Sequence, residues 1–600
     1  MAQAGGVVLP LFGCLAVQGL VRPVAHWLID ESRYRNGEIV AAAGPNLMVS
    51  GFPQAVRGGG FRIADEGECF VYPWDDRSRW AEMPKGEFTI SVKFSVPDAK
   101  GSQGLVGCIF QPAEGLAGWR VVIRDGRPEF TVAKPGFKAA VVTGRGIAPN
   151  LVHRLDARYD GSQIALFVDG VSQGSAAAKF GDLVYNGRAG ICFADWWEGP
   201  RSYRFVGSLF ESALFDRALS PEGVSQALAA APVAPMPPEE GGELKLTIEP
   251  FFQYPTASRA TVVWETSRSS STLVRFGLSA KTAKVIHGAS SRIHQVVLPG
   301  LRPATTYFVQ TESRVGDQVV TSEWESFRMA SLPGTGVKIG IVGDTQDHPE
   351  TNKLVAAAMF AERPDAFMVV GDLVGMGWKK EQWEHDFFGS MRPLLSHVPL
   401  LPVIGNHDRN ARIYYDLMAI PAPEYCYTYT TGDVQFFAID TNRDVRPGSP
   451  QYRWLEAALK ASKAKWKIAA HHHPPYSSDN DDFGDSWIEP TTDGERDVRP
   501  LCALYDKYGV DLCFAGHIHS YERTYPIKAG KVVGEGKGTV YVVVGGGGGD
   551  LETAKATRSI YSRVIRTVNH FGVIWADAKS LEFRAYDAQD RLFDVYSVRK

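Results

Sequence analysis

The sequence predicts a multidomain chain in which two all-β sandwiches precede an α/β domain. Three observations carry this. At 600 residues the chain exceeds what one hydrophobic core serves, and a prior of roughly 100–200 residues per domain gives three or four units. Phe88 to Val96 alternates apolar and polar residues, the period of a strand with one face on a core and the other in water. From about residue 336 apolar runs of strand length alternate with helical stretches, and acid, amide and imidazole residues stand at the ends of the runs, where α/β layers collect ligands.

Composition excludes some classes. The formal net charge of -3 leaves no basic footprint, and with Lys and Arg scattered no nucleic-acid partner is expected. The longest apolar run, Val7 to Val21, contains Pro10 and Gln18 and falls short of the roughly 20 residues that span a bilayer, so no transmembrane segment is expected. Val7 to Val17 has the character of an export-signal core, and Ala2-Gln3-Ala4 resembles the tail of a cleavage site. A secreted or periplasmic protein with a trimmed signal is the expectation. The seven cysteines form no C-x-x-C pair and read as buried free thiols.

Residues 22–228 read as the first sandwich. His153 to Tyr159, a turn at Asp160-Gly161, Gln163 to Val168 and a turn at Asp169-Gly170 describe antiparallel strands on tight turns. No long helix is expected before Ser220-Pro221. The phrases Tyr159-Asp160-Gly161, Leu166-Phe167-Val168-Asp169-Gly170 and Ala213-Leu214-Phe215-Asp216-Arg217-Ala218-Leu219-Ser220-Pro221 resemble the laminin-G-like, concanavalin A-like jelly roll. That resemblance implies glycan or protein partners, sometimes through calcium, so a structural Ca ion and a surface contact are expectations for this domain. Trp196-Trp197 offers either a stacking platform for a sugar ring or a packing surface for a neighbouring domain.

Residues 229–244, rich in Ala, Pro, Glu and Gly, read as a solvated linker. Residues 245–332 return to short strands, and Leu301 to Tyr307 matches a tyrosine corner of an immunoglobulin-like sandwich. A fibronectin-III-like module is expected. Trp264-Glu265-Thr266, Val274-Arg275-Phe276-Gly277 and Gly300-Leu301-Arg302-Pro303 resemble the N-terminal module of plant-type purple acid phosphatases, with a scaffolding role.

Residues 336–600 hold ten of the fourteen histidines. Runs at Val337 to Gly343, Asp365 to Gly371, Val398 to Gly405, Trp466 to Ala470 and Val510 to Ala515 are each followed by polar groups: Asp344, Asp372, Asn406-His407-Asp408, His471 to His473, and His517 with His519. Any one of these is as readily a turn or a cap. Five in succession are not a coincidence of turns. A spacing of two places His517 and His519 on one side of an extended segment. On the extended His471 to His473 run, one ring must turn away.

Gly343-Asp344, Gly371-Asp372, Gly405-Asn406-His407-Asp408, His472-x-Pro474 and Gly516-His517-Ile518-His519 resemble the calcineurin-like metallophosphoesterases. Gly516 to Arg523 and Val542 to Gly547 further resemble purple acid phosphatases. The resemblance implies a four-layer αββα domain and a dinuclear metal centre, with Asp344, Asp372 and His519 on one ion and Asp372, Asn406, His472 and His517 on the other. Mixed O and N donors suit Fe, Zn or Mn. It also implies that His407 points at the substrate as acid or charge stabiliser, with Asn406 and His473 near the phosphoryl group and Asp408 either orienting His407 or serving the loop.

The chain departs from the pattern twice. The family commonly has His two residues after the first Asp, and purple acid phosphatases place Tyr three residues after the second. Gln346 and Gly375 stand there. Gln346 is expected either to give its carboxamide oxygen to the metal or to hydrogen-bond a water, and without a tyrosinate the purple charge-transfer colour has no source. The function implied is metal-dependent hydrolysis of phosphomonoesters. Phosphodiesters on the same core, or a glycan-binding adhesion protein with a degenerate phosphoesterase domain, are the alternatives.

Overall fold

A computed structural model describes residues 21–600 apart from 73–82, 99, 111–115, 186–189, 195–196, 199–200, 238–241, 480–492 and 555–558. The chain divides into two compact units, Met1–Met48 with Pro53–Met236, and Val49–Phe52 with Pro237–Lys600.

In the first unit the described strands form an eight-stranded and a nine-stranded sheet, antiparallel in their pairings. Phe88–Ser95 lies at the centre of the smaller sheet, between His153–Tyr159 and Gly207–Phe215. Its Phe88, Ile90, Val92 and Phe94 are fully buried, as the alternation requires. The other face departs from expectation, because Thr89 and Ser91 are buried too. The Thr89 hydroxyl donates to Arg217 O and accepts from Leu219 N–H, while the Ser91 hydroxyl donates to Asp156. A chain segment therefore covers the end of the face that was expected to be wet. The first α-helix among the described residues is Pro221–Ala230, capped by the Ser220 hydroxyl. Trp196 lies outside the described residues, as does the side chain of Trp197.

The second unit is built on a twelve-stranded and a seven-stranded sheet. In the larger, Val337–Val342, Ala366–Val370 and Leu400–Val403 run parallel. In the smaller, Val434–Ile439, Trp466–His471, Leu512–Ala515 and Val540–Val544 run parallel. These are continuous apolar runs because both faces of each strand are covered. The main core contains Ile339, Ile341, Val369 and Leu400 from one sheet and Phe436, Ile468, Phe514 and Val542 from the other. Helix Pro349–Ala361 packs Val355 and Met359 into that core. Helices Pro450–Ala461 and Pro500–Tyr508 cover the smaller sheet's outer face through Leu455, Leu459, Leu501 and Tyr505. The result is the layered α/β arrangement expected.

Residues 246–328 are not a bead apart from this domain. Their strands belong to the twelve-stranded sheet, joined where Gln253 pairs with Leu400. Ile248, Phe251 and Val263 contribute to the main core, while Phe252, Trp264, Val274, Tyr307 and Phe327 form a smaller one. Buried Glu265 is ion-paired with Lys380, and Arg392 with buried Glu325. The Tyr307 hydroxyl accepts from Arg302 N–H at 3.0 Å.

Two imidazoles in this unit, His294 and His570, are buried away from any acidic partner. His294 stacks on Trp264 at 4.5 Å, with Thr272 Oγ1 at 2.6 Å from Nδ1 and Thr266 Oγ1 at 3.1 Å from Nε2. His570 is buried with Nδ1–H on Val568 O at 2.7 Å. Burial pushes both down to about 4. Between pH 6.5 and 4 the unfolded chain therefore binds protons that the folded chain refuses, so stability is complete above pH 6.5 and falls as pH drops through that window. Groups whose values are raised act in the opposite sense over this range, so the contribution of these rings is read by difference: from pH 7.5 to pH 5 the wild type is expected to lose a few degrees more of melting temperature than a His570→Gln variant. Scanning calorimetry that finds the same pH dependence in both would sink this account.

Candidate metal centre

Seven parallel strands, three from one sheet and four from the other, deliver their carboxyl ends to one place. Backbone bonds tie those ends together, between the sheets where Gly343 N–H donates to Val544 O, and within each sheet where Asp344 N–H donates to Gly371 O and Gly516 N–H to His472 O. Close approach needs glycine. A Cβ on Gly371, whose φ is +94°, would stand 2.2 Å from His472 Nδ1.

Four donor atoms converge beside Asp372. His472 Nε2 lies 3.1 Å from Asp372 Oδ2 and 2.9 Å from Asn406 Oδ1, and His517 Nδ1 lies 3.1 Å from the same amide oxygen. Among the described residues, Asp372, His472 and His517 are the one trio of acid and imidazole groups whose ligand atoms all lie within 4.8 Å of one another. His472 Nδ1–H donates to Val370 O at 2.9 Å, which leaves Nε2 as the lone-pair nitrogen facing inward. The other Asp372 oxygen accepts from His407 N–H at 2.7 Å.

A second group gathers around Asp344. Its Oδ1 is 3.6 Å from His519 Nε2, and both its oxygens accept from His517 N–H at 3.0 Å. His519 Nδ1–H donates to Asp550 O at 2.7 Å, so its Nε2 is again the inward lone pair. Gln346 is buried beside it, with Nε2 at 3.2 Å from His519 Nε2. Its Oε1 is sealed from solvent with no hydrogen-bond partner among the described residues. An orphaned carboxamide oxygen next to an imidazole lone pair and a buried carboxylate is a donor set that fits a cation.

The electrostatics agree with that fit. Burial opposes ionisation of Asp372 and of His472, yet their mutual attraction wins. Asp372 is held below the usual carboxylate range, and His472 is pushed up to about 10. Burial likewise opposes charge on His519, and Asp344 overrides it to about 9. Without a cation the inward Nε2 atoms therefore take up protons where the carboxylates call for positive charge, and a bound cation would displace those protons to meet the lone pairs.

The remaining candidates divide. His407 is half-buried, and its Nδ1–H donates to Gly375 O at 2.9 Å, so a carbonyl orients it. Asp408 does not orient it. Its buried carboxylate accepts from Gly405, Leu373 and Val374 N–H groups and clamps the two ligand loops together. Burial and the neighbouring Asp372 push Asp408 well above the ordinary carboxylate range. His471 is the ring that turns away, into the core, with Nε2 at 3.1 Å from Cys513 Sγ. His473 stays with the site, its ring 4.6 Å from that of His517. His517 does not lie on an extended segment: its φ is +69°, and a turn rather than a strand brings both imidazoles inward. At position 375 a Cβ would stand 2.3 Å from Asp347 Oδ1, so a side chain there would first have to displace the Asp347 carboxylate.

Sequence reasoning missed the support behind these groups. Glu552 accepts from His519 N–H at 2.7 Å. Gly545 to Gly549 follow the last parallel strand, and a Cβ would meet Asp344 Oδ2 at 2.8 Å from Gly545 and the His519 ring at 2.5 Å from Gly549. Five glycines in a row were the available signal. No comparable pattern marks Glu552.

Residues 337–521 match the family Calcineurin-like phosphoesterase, and residues 76–225 the Concanavalin A-like lectin/glucanases superfamily. Probable inactive purple acid phosphatase 27 of Arabidopsis thaliana is 29% identical over 231 residues, covering 33% of this chain and 37% of its own. A nucleotide pyrophosphatase/phosphodiesterase of Hordeum vulgare is 26% identical over 264 residues, covering 37% of this chain and 71% of its own. The chain thus spans well under half of the first of these relatives. Purple acid phosphatase PPD1 from yellow lupin seeds shares the fold, with a TM-score of 0.53 at 17% identity over 85% of this chain and 90% of that one. Residues 337–521 are therefore a calcineurin-like phosphoesterase domain, similar to purple acid phosphatases, in a chain that also carries a concanavalin A-like domain.

Proposed function

We propose that the chain hydrolyses phosphoric monoesters at a dinuclear metal centre. The observation that carries this is the convergence of Asp344, Gln346 and His519 on one side and of Asp372, Asn406, His472 and His517 on the other. The first set would hold one ion and the second set the other, with Asp372 shared. Bound Fe, Zn or Mn would supply Lewis-acid polarisation and acidify water at neutral pH.

The chain's own residues do the rest. The His472 and His519 tautomers, fixed by Val370 O and Asp550 O, keep a lone pair on each inward nitrogen. Asp408 holds the Asp372 and Asn406 loops in register. His407, with its Nδ1 proton committed to Gly375 O, presents Nε2 to the leaving oxygen, where an imidazole can transfer or share a proton. Asn406 and His473 flank the phosphoryl group. Residues 22–228, 229–244 and 245–332 serve as surface-contacting sandwich, linker and fibronectin-III-like scaffold, in a secreted or periplasmic protein.

Hydrolysis of diesters and pyrophosphates is the second reading, favoured by the barley relative's name. Purified protein loaded in turn with Zn, Mn and Fe, then offered p-nitrophenyl phosphate and bis-p-nitrophenyl phosphate side by side, decides between them. Faster monoester turnover is expected. Metal uptake without turnover of either ester would make the domain an inactive phosphoesterase, and several relatives carry the name probable inactive purple acid phosphatase.

His407→Ala is expected to retain its metals and lose about 10²-fold or more in kcat; undiminished kcat would remove His407 from the chemistry. Gln346→Ala is expected to lose the ion held by Asp344 and His519 during gel filtration in metal-free buffer, with the other retained. Elemental analysis that shows unchanged metal content would leave Gln346 as a neighbour, not a ligand.

A further inference from the structure

His473 immediately follows a proposed metal ligand, yet its hydrogen bonds fix it for a different task. Its backbone N–H donates to Thr441 Oγ1 at 3.1 Å, and the same oxygen lies 2.8 Å from its Nδ1. A backbone amide only donates, so Thr441 accepts there, and its hydroxyl proton, which has no other acceptor among the described residues, goes to the second contact. Nδ1 receives that proton as the lone-pair nitrogen. A neutral imidazole must then carry its own proton on Nε2.

The ring is 4% exposed and wedged between two other imidazoles, 4.6 Å from that of His517 and 5.0 Å from that of His472. Among the described residues nothing accepts from Nε2–H, and that nitrogen is not among the buried polar atoms sealed from solvent. An Nε2–H cannot bind a metal. It can donate to an anion's oxygen.

We propose that Thr441 is a positioning residue that locks His473 as an N–H donor to a phosphoryl oxygen, so that His473 binds substrate and never metal. The inference rests on the phosphoester reading above. It explains why the second of two adjacent inward-facing histidines stays out of the metal set: His472 has its Nδ1–H on a carbonyl and offers a lone pair, whereas His473 has its Nδ1 on a hydroxyl and offers a proton.

The test uses the metal-loaded full chain, with inorganic phosphate as the probe in calorimetry and p-nitrophenyl phosphate in kinetics. Thr441→Val is expected to weaken phosphate binding and raise KM by about tenfold, the worth of one hydrogen bond at a buried site, with kcat and metal content held. Thr441→Ser, which keeps the hydroxyl, is expected to restore both. If the wild type binds phosphate and turns over ester while Thr441→Val matches it, the inference falls and the function stands. If the wild type does neither, the function falls and the inference with it. The 15N-imidazole spectrum of the wild-type chain tests the tautomer directly, without any variant: a His473 proton on Nε2 supports the proposal, and one on Nδ1 overturns it.

Discussion

Asp344 and Asp372 lie in the interior at the ends of neighbouring parallel strands, and a carboxylate there keeps its charge only with positive charge a few ångström away. The rest of the site follows from that requirement. Imidazoles surround the pair and take up protons, the backbone N–H groups of His407 and His517 point at the same oxygens, and a neutral amide oxygen is left without a partner. Each is a partial answer to one electrostatic demand.

Meeting it strains the backbone. Asp344, Asp372 and His517 have φ values of +57°, +50° and +69°, the left-handed region that costs a non-glycine residue about 1–3 kcal/mol. The surrounding structure over-determines these conformations: ties between the two sheets, the Asp408 clamp and glycines with no space for a methyl group all hold the ligand loops in place. Side chains at the strand ends are thereby aimed before any ion arrives.

Much of this was legible in the sequence because a strand end followed by a carboxylate or histidine leaves a local trace. Asp372, Asn406, His472 and Asp344 are each announced by the apolar run before them. Thr441 leaves no such trace, since a threonine two residues past a strand looks like any turn until the fold sets it against His473. Asp408 reads equally well as an orienting group or a loop clamp, and only three backbone N–H bonds decide. Thr89 and Ser91 carry the alternation of a wet face, and the segment that covers Thr89 lies more than a hundred residues away. Contacts at long sequence separation are what pattern cannot supply.

The sheet shared by residues 246–328 and the phosphoesterase strands bears on how such a chain can be divided. Phe251 sits 4.7 Å from Phe388 ring to ring, and Glu265 and Glu325 each send a buried carboxylate to a cation on the other side. A cut placed between these segments by homology alone would strip the phosphoesterase half of part of its own interior and take from Lys380 and Arg392 their nearest counterions. The smallest autonomous piece bearing the candidate metal centre therefore begins upstream of Leu246, and recombining it with other lectin-like domains is a matter for the residues before it.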